Sequence, residues 1–472
     1  MFRYPYLGAI MNRKKYCFLI FIIVGLISSC KNNSKQKEYL NKKEIVEDCK
    51  VLNKYLKNAY IPYSENLEVN TNLENIEENI ITELKISDHS KIYPEDFQKV
   101  IVKELQNNIL IPDYHLVVHS ENSFNKIFGH QSIYFTDIIL EEKKGKFYIY
   151  NDYDSSIKKG SLYTGKEENL FRILPDEETK LFQYGVKTSQ KIQSCSISIN
   201  NKNYQIKIRS EKKNLSDFYE YNESLNSFLF DNDIIYMSNI DFYDPQNYFS
   251  QFPFLSTDLK KSTLLLDLRN NVGGNTNNCL QYLNFILFNE CEIENLNKYE
   301  KAKDVKLLLS SNTLQKNYKL ARNQHLNIGI ISILKIFKDF FQIFKIKTIS
   351  TLKFKDIHYD DFSKDFYPNK IIILMNKYTA SAAELLIFDL YELAGDRVIT
   401  IGENTAGCVN FTGVFSYTLP NSKISVNLPY IDNRGIKQFE NSRFKGELNG
   451  FYPDYWVVDK NISEYISYII EE

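Results

Sequence analysis

Four short apolar runs in the C-terminal half of this 472-residue chain alternate with stretches of helical pattern. The runs read DIIYMSNI, STLLLDL, NKIIILM and DRVITIG, and the stretches between them include CLQYLNFILF and SAAELLIFDLYELA. Buried-looking strands that alternate with helices are typical of an α/β layer fold. The sequence therefore predicts an α/β domain over residues 216–472.

The residues before this domain divide into two regions of different pattern. Residues 44–113 are mostly of helical pattern, with segments such as EIVEDCKVLNKYL and YPEDFQKVIVKELQNNI, and they predict an N-terminal helical region. Residues 114–215 contain short alternating runs, among them KFYIYNDY, CSISINN and YQIKIRS, separated by clusters of Gly, Asn, Asp and Lys. This pattern predicts a small β-rich module.

The N-terminus has the pattern of an export signal. Three basic residues (13–15) precede the apolar run YCFLIFIIVGLI, which is too short to span a bilayer, and small residues lead to Cys30. Ile-Ser-Ser-Cys resembles a bacterial lipobox, so residues 1–30 are predicted to be a lipoprotein signal peptide and Cys30 the lipidated mature N-terminus. Met11 is the more natural start. The alternative is a plain signal peptide in which Cys30 is incidental.

A lipidated Cys30 would place the protein in the cell envelope, on the periplasmic side or at the cell surface, with a membrane as one of its partners. The polar, Lys-rich segment 31–43 is then a tether between the anchor and the folded body. The formal net charge of -1 predicts no nucleic-acid partner. Seven cysteines without a C-x-x-C pair predict neither a zinc site nor a disulfide framework.

Two segments of the α/β domain have the residue types of a catalytic site. Ser381 follows the apolar run KIIILM and opens a helix, which is where a hydrolase would place a nucleophile and also where a tight turn would place a small cap. Gly273 and Gly274 follow the run LLLDL. Adjacent glycines let backbone N–H groups face a ligand, although they also form ordinary turns.

Five motifs in a fixed order make a resemblance specific. DLRNNVGG, TASAAE, GENTAGC, LPNSKISVNLP and GELNGFYPD occur in this order between residues 231 and 458. Together they resemble the C-terminal processing (tail-specific) serine peptidases. The resemblance implies a core related to the ClpP and crotonase folds, a helical N-terminal region and a PDZ-like module, of which IKKGSLYTG (157–165) is a degenerate match. It also implies unfolded or C-terminal polypeptide segments of envelope proteins as substrates, and no cofactor.

In this resemblance Ser381 aligns with the family nucleophile, which needs a base to remove its proton. The main branch of the family places a catalytic Lys directly after the Gly of the G-x-x-T-x-G segment, and this chain has Cys408 there. Lys377 is the nearest alternative in sequence. The resemblance is therefore to the branch of the tricorn core and the interphotoreceptor retinoid-binding protein modules, which lacks that Lys.

Peptidases of that branch use an upstream His and a downstream Glu. The segment LIPDYHL (110–116) keeps the Asp and the His of their upstream signature, which makes His115 the expected base. The downstream acid is expected at Glu447, with Glu440 as the fallback. The resemblance places the oxyanion hole at the backbone of Gly273, Gly274 and Ala382.

His115 and His119 also suggest a metal site, since His is a common metal ligand. On an intervening strand they would lie about 13 Å apart, which is too far for one ion. No metal site is therefore predicted.

Two alternatives remain open at this level. The apolar helix at 333–345 has Lys, Asp and Gln on one stripe, so it packs in the core or at a subunit contact, or it serves as a membrane-surface or lid helix. The whole chain is either a lipid-anchored serine endopeptidase or a catalytically silent, ligand-binding lipoprotein with the same fold. Cys408 and the altered DYHL segment favour the silent protein, whereas TASAAE and GELNGFYPD favour the enzyme.

Overall fold

The structure is a computed structural model of the chain. It describes residues 37–65, 75–85, 87, 90–176, 179–209, 230–231, 234–238, 240–243, 263–288, 303–323, 328–353, 368–436, 443–457 and 462–471. The predicted signal peptide, Cys30, most of the tether and the fallback acid Glu440 lie outside these residues. Among the described helices, none is long and apolar enough to cross a bilayer.

The described residues contain nine α-helices and eighteen strands. The helices are α1 (Lys42–Ala59), α2 (Ile61–Ser64), α3 (Ile76–Glu83), α4 (Pro94–Asn108), α5 (Thr276–Phe288), α6 (Ser311–Asn323), α7 (Ile328–Ile343), α8 (Ala382–Ala394) and α9 (Ile462–Glu471). The strands of the first half are β1 (Val117–His119), β2 (Phe124–Lys126), β3 (Ser132–Lys143), β4 (Lys146–Ile149), β5 (Leu170–Arg172), β6 (Leu181–Thr188), β7 (Ser194–Ile199), β8 (Lys202–Lys207) and β9 (Phe230–Asp231). Those of the second half are β10 (Ile234–Met237), β11 (Thr263–Asp267), β12 (Lys303–Ser310), β13 (Lys347–Lys353), β14 (Lys370–Met375), β15 (Val398–Gly402), β16 (Phe411–Thr418), β17 (Ser425–Ile436) and β18 (Tyr455–Trp456).

The predicted α/β layer fold is confirmed by a six-stranded sheet of order β18-β15-β14-β11-β10-β9. All neighbours in it are parallel except the edge strand β9. Residues 371–375 of β14 are all apolar because both faces of the sheet are covered. Ile371 and Ile373 pack in the core that includes α5 and α8, whereas Ile372 and Leu374 pack in the core that includes α9.

A second large sheet, of order β13-β12-β17-β1-β2 with β16 on β17, supports the N-terminal helices. Helices α1, α3 and α4 bury their apolar faces in one core with β1, β12 and β17. Strand β1 pairs with β17, with Val118 opposite Val426, so this short segment belongs to the second sheet. The sheets therefore separate after β2 and not at residue 114, because β1 pairs with β17, more than 290 residues later in the chain, and β2 pairs with β1.

The small β-rich module consists of a four-stranded sheet of order β4-β3-β6-β5 and the hairpin β7-β8, with a core of its own. It contacts the parallel sheet where Phe171 of β5 meets Trp456 of β18. The described residues of this module contain no α-helix. Its resemblance to a PDZ domain stays a prediction.

One alternative for the apolar helix predicted at 333–345 was that it packs in the core. This alternative is wrong for most of its side chains, which are not buried. This helix is α7. Among its large apolar residues whose burial the structure describes, Leu334 and Phe341 are buried, whereas Ile336 is 67% exposed. Of its charged residues, Lys335 is exposed and Lys338 lies near the Tyr318 ring.

Candidate active site

Ser381 lies where the central parallel strand β14 passes into α8. It is the N-cap residue of α8 and has φ 56° and ψ -117°, a backbone conformation that is uncommon for a residue other than glycine. Such strain costs on the order of 1–3 kcal/mol and persists only where the surroundings impose it. The helix N-terminus behind Ser381 directs backbone N–H groups towards an incoming anion.

The glycine segment after β11 packs directly against this turn, because the carboxyl ends of neighbouring parallel strands meet at one edge of the sheet. A Cβ added at Gly273 would come within 2.5 Å of the Ala380 carbonyl oxygen and 2.9 Å of the Ser381 Cβ. Asn376 fixes the two segments to each other, since its Oδ1 accepts the Asn270 N–H at 3.1 Å. Only glycine fits at position 273.

The backbone N–H groups predicted for the oxyanion hole differ in their partners. The Gly273 N–H donates to the Asn271 Oδ1 at 3.0 Å, so it already has an acceptor. The N–H groups of Gly274 and Ala382 make no hydrogen bond within the described part of the chain. Gly274 and Ala382 are therefore the two predicted donors that remain available to a ligand.

Glu384 organises the turn from inside the protein, and the sequence analysis did not single it out. Its buried carboxylate accepts the N–H groups of Ser381 at 3.1 Å, Gly407 at 2.8 Å and Cys408 at 2.8 Å, as well as the Thr405 hydroxyl. Burial raises the pKa of Glu384 to about 7, and these hydrogen bonds oppose the rise. The spacing Ser-x-x-Glu of a capping box within TASAAE was the signal that could have identified it.

Because Ser381 and Cys408 donate to the same oxygen of Glu384, the nucleophile turn and the GENTAGC segment are neighbours. Gly407 makes this packing close: a Cβ there would come within 2.5 Å of the Gly450 nitrogen and 2.7 Å of the Leu448 nitrogen. The segments that contain Ser381, Cys408 and Glu447 thus meet at one place, as the order of motifs predicts.

The imidazole of His115 contacts the Cys408 thiol, with 3.1 Å between Nε2 and Sγ. No hydrogen bond joins His115 to Ser381, although both are described residues. Burial lowers the pKa of His115 to about 4, helped by the nearby charge of Lys126, so the imidazole is neutral at physiological pH. Burial also raises the pKa of the Cys408 thiol, which is therefore protonated.

Two buried carboxyl groups flank His115. Asp113 Oδ1 accepts the His115 backbone N–H at 2.9 Å, whereas its Oδ2 has no hydrogen-bond partner. Burial raises the pKa of Asp113 to about 7, partly offset by the His115 N–H and the neighbouring Tyr60 hydroxyl. Glu447 accepts the Tyr114 and Asn410 N–H groups, each at 3.0 Å, and its pKa is raised by burial and by Asp113.

Glu447 therefore acts on the backbone beside His115 and makes no hydrogen bond with the imidazole. The oxygens of Asp113 and Glu447 and a ring nitrogen of His115 lie within 4.8 Å of one another, a spacing from which a metal could be held. All but Asp113 Oδ2 already have protein partners, so the residues do not form a prepared metal site. His119 is not in this group, since its Nε2 bonds Asn427 and Ser416.

The two lysines near the site differ in their surroundings. Lys377 lies beside the Tyr378 ring, with Nζ 5.4 Å from the ring centroid. Lys126 places its Nζ 3.5 Å from the centroid of the Tyr114 ring, and burial lowers its pKa. Its position on β2 could not be read from the sequence, because β2 reaches the site only through its pairing with β1.

Part of the chain that builds this site matches a known protein family. Residues 240–454 match peptidase family S41. Residues 240–454 are thus similar to an S41 peptidase domain, and they contain all five of the motifs described above. The matched residues include Gly273, Ser381, Cys408 and Glu447 but not His115.

Several solved structures are also similar to this chain. Mature CPAF is 14% identical, with 91% of this chain and 96% of that chain covered and a TM-score of 0.41. The photosystem II D1 C-terminal processing protease is 12% identical, with 88% and 92% covered and a TM-score of 0.33. The tricorn protease is 15% identical, with 91% of this chain but 37% of that chain covered and a TM-score of 0.38. No curated protein matches the chain significantly.

Proposed function

We propose that this protein is a serine endopeptidase of the S41 branch without the catalytic Lys, with Ser381 as nucleophile and His115 as base. The observation that carries the proposal is the turn at Ser381: a positive φ, a helix N-terminus behind it and Gly273 packed against it. These features serve a nucleophile that attacks a carbonyl and an oxyanion that forms beside it. A residue that merely capped α8 would not need this strain.

In the proposed reaction the His115 imidazole leaves the Cys408 thiol and accepts the proton of the Ser381 hydroxyl as Oγ attacks the substrate carbonyl. The N–H groups of Gly274 and Ala382 stabilise the oxyanion, and the protonated His115 then donates to the departing amine. Water repeats the sequence on the acyl-enzyme. Glu447 is a positioning residue, because it bonds the Tyr114 and Asn410 N–H groups on either side of the imidazole.

The proposed substrates are unfolded or C-terminal segments of envelope proteins, and the proposed location is a membrane to which Cys30 is lipid-anchored. The family supports polypeptide substrates. The N-terminal pattern of a short apolar run before Ile-Ser-Ser-Cys supports the anchor. The small β module beside β18 is the proposed recognition element for an extended tail.

A fluorophosphonate probe tests the mechanism, since it reacts only with an activated serine. We expect labelling of the protein to be lost in Ser381→Ala and slowed at least about 100-fold in His115→Ala. A Ser155→Ala variant, which changes an exposed serine, is the matched control. The labelling rate should stay high down to about pH 5 and fall near pH 4, because the base is active only while neutral and its pKa is lowered to about 4.

The silent binding protein is the second candidate, and the contact of His115 with Cys408 in place of Ser381 favours it. It predicts that wild type and Ser381→Ala are equally inert towards the probe and towards unfolded polypeptides. Labelling that survives in His115→Ala at the wild-type rate would leave Ser381 in place and remove His115 as the base.

A further inference from the structure

Helix α7 has an apolar face that the described part of the protein does not cover. Six large apolar side chains on α7 and at the residue that follows it are between 40% and 73% exposed: Ile333, Ile336, Phe337, Phe340, Ile343 and Phe344. Their spacing of three and four residues places them on one side of the helix. A contiguous exposed patch of this kind marks an interaction surface rather than ordinary surface apolarity.

The opposite side of α7 attaches it to the protein. Leu334 and Phe341 are buried, seven residues apart, and the Lys338 Nζ lies 5.5 Å from the centroid of the Tyr318 ring on α6. This attachment uses a narrow stripe of the helix. The six exposed side chains are therefore held outward by a packed helix and are not part of a loose segment.

Lysines outnumber acids in α7 and in the residues that follow it. Residues 334–347 contain four lysines, at positions 335, 338, 345 and 347, and a single acid, Asp339. Asp339 is paired with Lys338 at 2.8 Å, so the segment carries a net positive charge. An apolar helix face in a segment with a net positive charge fits the interface of a bilayer that contains anionic lipids.

The position of α7 in the chain points to the same occupant. Six residues separate the predicted lipidation site Cys30 from Lys37, the first described residue, so these two residues lie at most about 25 Å apart. The tether leads into α1, α1 packs on α6, and α6 packs on α7. At the far end of α1, the Lys347 Nζ donates to the Lys57 carbonyl oxygen at 3.2 Å, next to the end of α7.

We propose that α7 lies on the membrane surface, with its six exposed apolar side chains in the interface and its lysines at anionic headgroups. The predicted anchor at Cys30 is a reason to expect a bilayer, and not another partner, against the apolar face of α7. The contact itself is non-covalent and should persist without the lipid. It orients the body of the protein on the membrane, which a flexible tether alone cannot do.

The test uses residues 31–472, which lack Cys30 but include every described residue, and vesicles of phosphatidylcholine with phosphatidylglycerol. We expect the protein to sediment with these vesicles and more weakly with phosphatidylcholine alone. Ile336→Glu with Phe340→Glu should reduce binding at least about tenfold, since both side chains would lose the favourable burial of apolar surface in the bilayer interface. Both residues are already exposed, so the fold should not change.

Phe124→Glu is the matched control, because Phe124 is 63% exposed and lies on β2, outside α7. This variant should leave vesicle binding unchanged. The proposal is overturned if wild type ignores both vesicles or if the double variant binds like wild type. A dimer in solution that the double variant dissociates would instead identify a second copy as the occupant. None of these readouts depends on Ser381, so failure of the peptidase proposal leaves the result interpretable.

Discussion

The turn that carries Ser381 and the segment that carries His115 meet at Cys408, and their polar groups are satisfied to different degrees. At the Ser381 turn, Glu384 accepts three backbone N–H groups, and Asn376 bonds the backbone of the facing loop. At the His115 segment, Asp113 Oδ2 is buried without a hydrogen-bond partner. Glu447 beside it has a raised pKa.

This difference indicates that the Ser381 turn and the His115 segment have different tasks. The nucleophile is held by a network that is complete before substrate arrives, so its geometry is rigid. The base side keeps a neutral imidazole between two buried carboxyl groups, and one of their oxygens, Asp113 Oδ2, has no hydrogen-bond partner. Substitutions at the Ser381 turn should therefore abolish activity, whereas substitutions at the His115 segment should change activity or stability by smaller amounts.

The largest effect is expected at Glu384. Glu384→Ala leaves the N–H groups of Ser381, Gly407 and Cys408 buried without an acceptor, each at about 1–3 kcal/mol. We expect complete loss of fluorophosphonate labelling and a decrease of several kcal/mol in the free energy of unfolding, measured by urea denaturation. Glu384→Gln keeps one acceptor oxygen and should lose much less stability. An Ala variant as stable as wild type would show that the Ser381 turn does not depend on this network.

The contrast also explains which parts of the site could be predicted from sequence. The strand-turn-helix around Ser381 is local, so an apolar run followed by small residues was enough to predict the turn, whereas the role of Ser381 came from the resemblance to the peptidase motifs. The partners of His115 come from segments that are hundreds of residues apart in the chain, and Cys408 was identified as a replacement for Lys, not as a contact of the imidazole. The placement of β1 in the second sheet, and of Lys126 near the site, depends on strand pairing that no local pattern encodes.

A smaller effect, on stability, is expected at Asp113. The pKa of this carboxyl is raised to about 7 in the fold, so between about pH 4 and pH 7 the native state binds more protons than the unfolded state, and stability falls as pH rises. Asp113→Asn keeps the acceptor for the His115 N–H and removes the titration. Relative to wild type it should gain stability with rising pH, reaching roughly 1–3 kcal/mol at pH 8 and at most about 4.

Urea unfolding of both proteins at pH 4.5 and pH 8 measures this difference. The exposed Asp396→Asn variant is the control and should follow wild type at both pH values. If the free energy of unfolding changed equally with pH in Asp113→Asn and wild type, the buried Asp113 carboxyl would have all its hydrogen-bond partners. The contrast between the two sides of the site would then disappear.

The smallest effect is expected at Cys408, where the two sides meet. Its thiol is the only side-chain hydrogen-bond partner of the His115 ring among the described residues, and this contact competes with transfer of the Ser381 proton to Nε2. Cys408→Ala removes the competitor, so the rate of fluorophosphonate labelling should rise a few-fold, while loss of the buried sulfur costs roughly 1 kcal/mol of stability. Cys408→Ser keeps a hydroxyl that can bond the imidazole and should label at the wild-type rate. A more than tenfold loss of labelling in Cys408→Ala, with the fold intact by circular dichroism, would contradict this expectation. It would mean that the Cys408 thiol positions the His115 imidazole for catalysis and does not compete with Ser381 for it.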